Sequence, residues 1–212
     1  NDHLKRLNHK TLLVAVSKTK PLEDILDLYS LGQRDFGENY AQELRDKIKA
    51  TVLNQKDIRW HYIGQIQQNK IKYFAGIAAL VHTVDTFKKA SMINDFCLKK
   101  DLFQDILLQV NVSEDPNKGG AKIEEVKELS SSISTLERLK IKGLMTITEY
   151  SQDPEYSRMD YRKMKNLSLG IEKNLGVSLE LSMGMSNDYR VALEEGSTII
   201  RVGTKIFGER IK

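Results

Sequence analysis

Cysteine is almost absent from this chain, because Cys97 is the only one among 212 residues. A single cysteine excludes a disulfide framework and a cysteine-based metal site, and it is typical of a reducing setting. No apolar run approaches the length of a membrane span, and no signal-peptide core follows residue 1. We therefore expect a cytoplasmic protein that has no membrane partner and no metal.

Basic blocks are missing as well, although the chain carries 33 Lys and Arg against 29 Asp and Glu, a net charge of +4. The charges are spread along the chain and no basic run is interleaved with aromatic side chains, so nucleic acid is not an expected partner. An anionic small molecule would be an equally suitable partner for a mildly basic chain of this kind. A hydrophobic fraction of 40% over 212 residues is enough for one sizeable core, so residues 1–212 are expected to form a single domain.

Short β-rich runs alternate with longer helix-period segments along the whole chain. The runs predict eight strands, at residues 11–17, 34–37, 59–64, 79–84, 105–112, 139–147, 179–183 and 198–203. The segments between them predict helices at 22–31, 40–50, 67–74, 86–99, 123–134, 154–175 and 187–195. Strict alternation of this kind indicates an α/β fold, a single (β/α)8 TIM barrel. A helix from upstream of the first strand would complete the ring, so part of an N-terminal helix is expected to be missing from this sequence.

The first apolar run leads to a lysine. Side chains alternate along a strand, so Lys18 shares a face with Val14 and Val16. Functional groups of such barrels lie at the C-terminal ends of the strands, where a desolvated amine can attack a carbonyl to form a Schiff base. A lysine at a strand end more often extends its ammonium group into solvent. The motif alone therefore leaves both interpretations open.

The loops after the last two strands have the composition of an anion site. Ser186 is expected to cap the helix after strand seven, and Gly184 lets backbone N–H groups approach a ligand. Gly203 and Thr204 follow strand eight, and these two loops are the usual phosphate site of a TIM barrel. A capped helix and a tight turn would explain the same residues without a ligand, so both interpretations stay open here too.

An arginine, Arg201, interrupts the otherwise apolar last strand, and a buried arginine needs a partner. A Schiff-base lysine on one wall of the barrel mouth and a phosphate site on the opposite wall together suit a phosphorylated aldehyde. Pyridoxal 5′-phosphate (PLP) is the cofactor that these features indicate.

Six blocks of sequence, in the same order, resemble the pyridoxal phosphate homeostasis proteins, the YggS/PROSC family, over nearly the whole chain. They are residues 14–21 (VAVSKTKP), 36–40 (FGENY), 60–64 (WHYIG) with 67–70 (QQNK), 143–146 (GLMT), 181–186 (LSMGMS) and 201–208 (RVGTKIFG). The resemblance implies a barrel of the alanine racemase N-terminal type.

The resemblance also implies roles for particular residues. Lys18 would hold PLP covalently as an internal aldimine, Gly203 and Thr204 would offer N–H groups to the phosphate, and Arg201 would face the pyridine nitrogen. An arginine there keeps that nitrogen unprotonated and weakens the ring as an electron sink. The implied cofactor-binding set is Lys18, Asn39, Met145, Ser182, Gly184, Met185, Ser186, Arg201, Gly203 and Thr204.

The function that the resemblance implies is intracellular vitamin B6 homeostasis without evident catalysis. Alanine racemases add a β-domain that supplies a tyrosine base, and this sequence holds no such domain. His61 and His82 lie at predicted strand ends, where a lone histidine is more often structural than a proton shuttle. We expect a monomeric PLP carrier, not an enzyme, with apo PLP-dependent enzymes as candidate recipients. The alternatives are a single-domain PLP-dependent amino acid racemase and a cofactor-free Schiff-base aldolase of sugar phosphates.

Overall fold

The structure is a computed structural model and describes residues 11–50, 56–116 and 118–208. Within this part of the chain, eight parallel strands form a closed barrel in sequence order, with β8 pairing back onto β1. The strands are β1 (Leu12–Val16), β2 (Asp35–Glu38), β3 (Arg59–Tyr62), β4 (Leu80–Val84), β5 (Gln104–Val110), β6 (Leu139–Thr146), β7 (Glu180–Ser182) and β8 (Ile199–Val202). The predicted TIM barrel is confirmed. The expected incomplete N-terminal helix falls before residue 11, outside the described residues.

Helices follow the strands as the alternation predicts. They are α1 (Leu22–Ser30), α2 (Ala41–Lys49), α3 (Phe87–Lys100), α4 (Ile123–Ile133), α5 (Arg158–Leu175), α6 (Tyr189–Glu194) and α7 (Thr204–Phe207). The helix predicted at residues 67–74 is a 3-10 helix, Gln68–Tyr73, and a 3-10 turn, Pro154–Ser157, precedes α5. In the three described ranges, no helix is both long enough and apolar enough to cross a bilayer.

The side chains of the strands fall into two layers, because neighbours along a strand point to opposite faces. Residues that point outward, such as Ala15 and Phe36, join the main core between the strands and the helices. Residues that point inward form a separate apolar cluster of Val14, Leu80, Leu107, Met145 and Ile199. Burying one such side chain contributes roughly 1.5–3 kcal/mol. The barrel interior is therefore a packed core, and ligands have access at its ends.

Candidate functional site

Lys18 lies just beyond the end of β1, where the inward-facing row of that strand reaches the mouth of the barrel. Val14 is packed inside the barrel, whereas Val16 and Lys18 border a small cavity at the C-terminal end. Lys18 is half-buried there. Gly203 and Thr204 border the same cavity from the end of β8. The structure therefore brings the candidate lysine and the candidate phosphate loop together.

A buried ion pair lies behind the end of β1. Lys47 Nζ donates to Glu38 Oε1 at 2.8 Å and to the Ser17 carbonyl at 2.7 Å, and the Ser17 hydroxyl donates to the same Glu38 oxygen at 2.6 Å. The Glu38 side chain is fully buried and that of Lys47 is 6% exposed. Burial raises the pKa of Glu38, although Lys47 acts against this rise. The end of the strand is thus fixed by two charges that water hardly reaches.

The turn that carries Lys18 is held by the same cluster. Glu43 accepts hydrogen bonds from Lys47 Nζ at 2.7 Å and from the Thr19 N–H at 2.6 Å. Thr19 has a φ of +63°, in the left-handed region that a β-branched residue rarely adopts. Because the residues on both sides of Lys18 are anchored, the backbone directs its side chain into the barrel mouth.

Arg201 is buried inside the barrel, where it pairs in register with Val14. Its Nη1 donates to the hydroxyl and the carbonyl oxygen of Ser182 at 2.6 and 2.7 Å, and its Nη2 donates to the Thr146 carbonyl at 2.8 Å. These acceptors are neutral. The partner that we expected for a buried arginine is therefore a set of hydroxyl and carbonyl oxygens and not a carboxylate. Burial lowers the pKa of Arg201 to about 10, and the guanidinium therefore stays charged at neutral pH.

The loop after β7 corrects one prediction. Helix α6 begins at Tyr189, and its N-cap position is held by Asp188 instead of the predicted Ser186. Asp188 Oδ1 accepts the Met185 N–H at 2.7 Å. The Asp188 side chain makes no capping hydrogen bond to the helix, and its Oδ2 accepts instead from the buried Thr148 hydroxyl at 3.2 Å, which holds the acid at this position. The Met185 N–H is therefore already used within the protein.

Other parts of the same loop do reach the site. Gly184 has a φ of +93°, and a Cβ there would come within 2.6 Å of the Ala192 Cβ, so this turn requires glycine. The Gly184 carbonyl accepts the Arg201 N–H at 3.0 Å. The Ser186 hydroxyl accepts the Gly203 N–H at 3.2 Å, which places it beside the last loop.

The loop after β8 offers backbone donors. Gly203 precedes α7, and the first N–H groups of a helix have no partner within it. The cavity that they border is also lined by the amine-bearing side chains of Lys18 and Lys20, and none of its described lining residues is acidic. One primary amine, a second cation and a row of N–H donors suit an aldehyde that carries a phosphate.

Asn39 and Met145 lie apart from this cavity. Asn39 borders a neighbouring cavity of about 630 Å³ together with Gln65. The Asn39 carbonyl abuts Gly64, where a Cβ would lie 1.7 Å from that oxygen. Met145 is buried in the inward-facing cluster that includes Val14. The resemblance suggested that both residues line the cofactor pocket. In the structure neither borders the cavity of Lys18.

The two histidines also differ from their predicted positions. His61 and His82 lie within β3 and β4, not at the ends of these strands, and their rings are hydrogen-bonded at 2.9 Å. His61 borders a cavity at the opposite, N-terminal end of the barrel. Both are therefore interior residues and not bases at the mouth.

The chain forms a closed eight-stranded barrel with a lysine just after its first strand, and this barrel is of the alanine racemase N-terminal type. The family of alanine racemase N-terminal domains matches residues 2–211. Within this class, the chain belongs to the pyridoxal phosphate homeostasis protein family. The member from Aquifex aeolicus (strain VF5) is 42% identical over 199 residues, which cover 93% of this chain and 86% of that protein. The member from Schizosaccharomyces pombe is 41% identical over 202 residues, covering 94% and 84%.

Solved structures agree with this assignment. PipY of Synechococcus elongatus PCC7942, with PLP bound, is 30% identical and superposes with a TM-score of 0.86 over 98% of this chain and 99% of PipY. Alanine racemase of Clostridium difficile 630 is 14% identical and matches with a TM-score of 0.77 over all of this chain and 59% of the racemase. At this low identity, the similarity to alanine racemase shows a shared fold and nothing more. The predicted family and fold type are both confirmed.

Proposed function

We propose that this protein binds PLP through a Schiff base on Lys18 and acts in PLP homeostasis. The observation that carries the proposal is the cavity that Lys18 shares with Gly203 and Thr204. An amine and an N–H cradle on one cavity match the aldehyde and the phosphate of PLP. The names of the relatives and the PLP in PipY support the same conclusion.

Each part of the site has a separate task in this proposal. The Lys18 amine adds to the aldehyde and water leaves as the imine forms. The N–H groups of Gly203 and Thr204 hold the phosphate, and the Ser186 hydroxyl, now on the Gly203 N–H, becomes a further donor. Arg201 would face the pyridine nitrogen and keep it unprotonated. When bound, PLP supplies an electron-withdrawing ring, and a charged arginine limits that property.

Further residues support these contacts. Ser182 orients Arg201 through its hydroxyl, and the Gly184 carbonyl holds the backbone of the same arginine. Met185 shapes the loop that carries Ser186, whereas Asn39 and Met145 line the surroundings of the cofactor. We assign the whole chain, residues 1–212, to one PLP-binding domain.

We further propose that the protein is a carrier and not an enzyme. The two interior histidines are hydrogen-bonded to each other, so neither is placed as a second base beside Lys18. A carrier of this kind would work as a monomer in the cytoplasm and would pass PLP to apo forms of PLP-dependent enzymes.

The direct test is to mix the purified protein with PLP, record the visible spectrum and then add borohydride. We expect a yellow protein whose band is bleached, and a mass gain of one phosphopyridoxyl group per chain. Fragmentation of the labelled peptide should place the group on Lys18 and not on the nearby Lys20. A mixture that shows only free PLP, or a label on another lysine, would contradict the proposal. A colourless protein that cleaves a sugar phosphate would favour the aldolase alternative.

The racemase alternative is tested by incubating the PLP-loaded protein with single enantiomers of amino acids. We expect no racemisation above that of free PLP, because two-sided proton transfer needs two bases and neither histidine is placed as a second base beside Lys18. Chiral chromatography of the products gives the rate. A fast rate that disappears in Lys18→Ala would make the protein an enzyme.

A further inference from the structure

A line of polar side chains crosses the packed interior of the barrel. Asp35 Oδ1 lies 3.0 Å from His61 Nε2, His61 Nδ1 lies 2.9 Å from His82 Nε2, and His82 Nδ1 lies 3.0 Å from the Ser182 hydroxyl. That hydroxyl accepts from Arg201 at 2.6 Å. The line therefore joins an acid at the N-terminal end of the barrel to the arginine of the proposed cofactor site.

The positions of the protons follow from the end of the line at Arg201. A guanidinium can only donate, so the Ser182 oxygen accepts from it and is free to donate its own proton to His82 Nδ1. Burial, together with the neighbouring His61 and Arg201, holds the pKa of His82 well below its usual value, so this ring is neutral. A neutral ring that accepts at Nδ1 carries its proton on Nε2 and donates it to His61 Nδ1. His61 then donates from Nε2 to Asp35.

The opposite direction leaves one group unsatisfied. If His82 carried its proton on Nδ1, the Ser182 oxygen would receive two hydrogen bonds, from His82 and from Arg201. Among its described contacts, the Ser182 hydroxyl would then have no acceptor for its own proton. A buried hydroxyl without an acceptor costs about 1–3 kcal/mol. The first assignment pairs every donor with an acceptor, so the line runs in one direction from cation to anion.

The acid at the far end is itself well anchored. Asp35 also accepts from the Arg59 side chain, through Oδ1 at 2.8 Å and through Oδ2. Burial alone would raise the pKa of Asp35, but the hydrogen bonds from His61 and Arg59 outweigh it and keep the carboxyl ionised. Aligned hydrogen bonds between a cation and an anion polarise one another, and the line thus stabilises a charge whose direct partners, among the described residues, are neutral.

We propose that Asp35, His61 and His82 are positioning residues: through hydrogen bonds that all run in one direction, they hold Arg201 in place at the proposed cofactor site. This inference rests on the proposed function, because it assigns the purpose of Arg201 at the PLP site. It adds that the environment of the cofactor depends on an acid that does not touch it.

The first test uses the PLP-free protein and ¹⁵N NMR of the histidine rings. In the wild type we expect His61 and His82 both to be neutral and to carry the proton on Nε2. Asp35→Asn should disturb this pattern at both rings, whereas Asp105→Asn, which removes another acid at the same cavity, should leave it unchanged. If Asp35→Asn does not fold, Ser182→Ala breaks the line at its other end and should mix the tautomers of His82. Wild-type rings that are charged, or that carry the proton on Nδ1, would overturn the proposal.

The second test measures PLP binding and the visible band of the bound form. Asp35→Asn should shift the band and weaken PLP binding by about 2- to 30-fold, the usual range for a coupled network, and Asp105→Asn should do neither. Binding and spectrum equal to the wild type in Asp35→Asn would refute the positioning role. If the wild type does not bind PLP at all, the proposed function fails, and the NMR result alone decides whether the line exists as assigned.

Discussion

Replacing Lys18 with alanine is expected to abolish the borohydride-stable adduct and to weaken PLP binding about 100-fold, which corresponds to about 2.8 kcal/mol. The variant loses the amine that forms the imine, but it keeps the N–H groups of Gly203 and Thr204 and the charge of Arg201. Binding should therefore become non-covalent and weaker instead of disappearing. Dialysis of the loaded proteins, followed by the visible spectrum and mass spectrometry, measures both changes.

Lys20→Ala is the matched control for this experiment. Lys20 borders the same cavity, and its Nζ donates to the Phe207 carbonyl at 2.8 Å. Its removal takes away a cation without removing the proposed imine, so the visible band and the adduct should persist. The assignment of Lys18 is wrong if its alanine variant keeps a bleachable band, or if the adduct is lost in Lys20→Ala instead. Circular dichroism shows whether both variants are folded.

The fold could be predicted because it depends on patterns that the sequence carries locally. Apolar runs of strand length alternate with helix-period segments, and eight repeats of that alternation leave few arrangements other than a closed barrel. The boundaries were harder to predict, since they depend on individual hydrogen bonds. The segment at residues 67–74 has an apolar pattern that suits a helix, yet its backbone forms the tighter 3-10 helix Gln68–Tyr73.

The candidate site was predictable where it follows from strand ends. Lys18, Gly203 and Thr204 come directly after β1 and β8, which pair with each other, so their meeting follows from barrel closure. The choice between Ser186 and Asp188 as the helix cap was not predictable in the same way. Both are favoured N-cap residues, and only the three-dimensional path of the loop places Ser186 on Gly203.

The interior line of hydrogen bonds could not be predicted from the sequence. Asp35, His61 and His82 belong to three separate strands, and their contacts depend on which face each side chain takes and on the stagger between strands. The sequence did indicate that Arg201 needs a partner. It could not indicate that the arginine donates to Ser182 and that the negative charge lies two histidines further on.

Lys47→Met is expected to destabilise the protein by about 3–5 kcal/mol, because it leaves the buried Glu38 carboxylate without its counter-charge. Methionine keeps most of the apolar stem of the lysine, so the change isolates the charge from the packing. Urea unfolding gives the free energy of unfolding. Lys49→Met is the control, since Lys49 lies on the same helix with an exposed side chain, and we expect less than about 0.5 kcal/mol for it.

The pH dependence of this loss distinguishes a charge effect from a packing effect. Lys47 now opposes the burial that raises the pKa of Glu38, so its removal must raise that pKa further above the unfolded value. The folded variant then takes up a proton more readily than the unfolded chain, and its deficit should shrink as the pH falls toward the ordinary glutamate pKa of about 4.3. Adding Glu38→Gln should restore part of the stability at neutral pH. A deficit that is independent of pH and of Glu38 would show that Lys47 acts through packing alone.

The cluster of Lys47, Glu38 and Glu43 also holds Ser17 and Thr19, the residues on either side of Lys18. Lys47→Met should therefore also weaken PLP binding to Lys18.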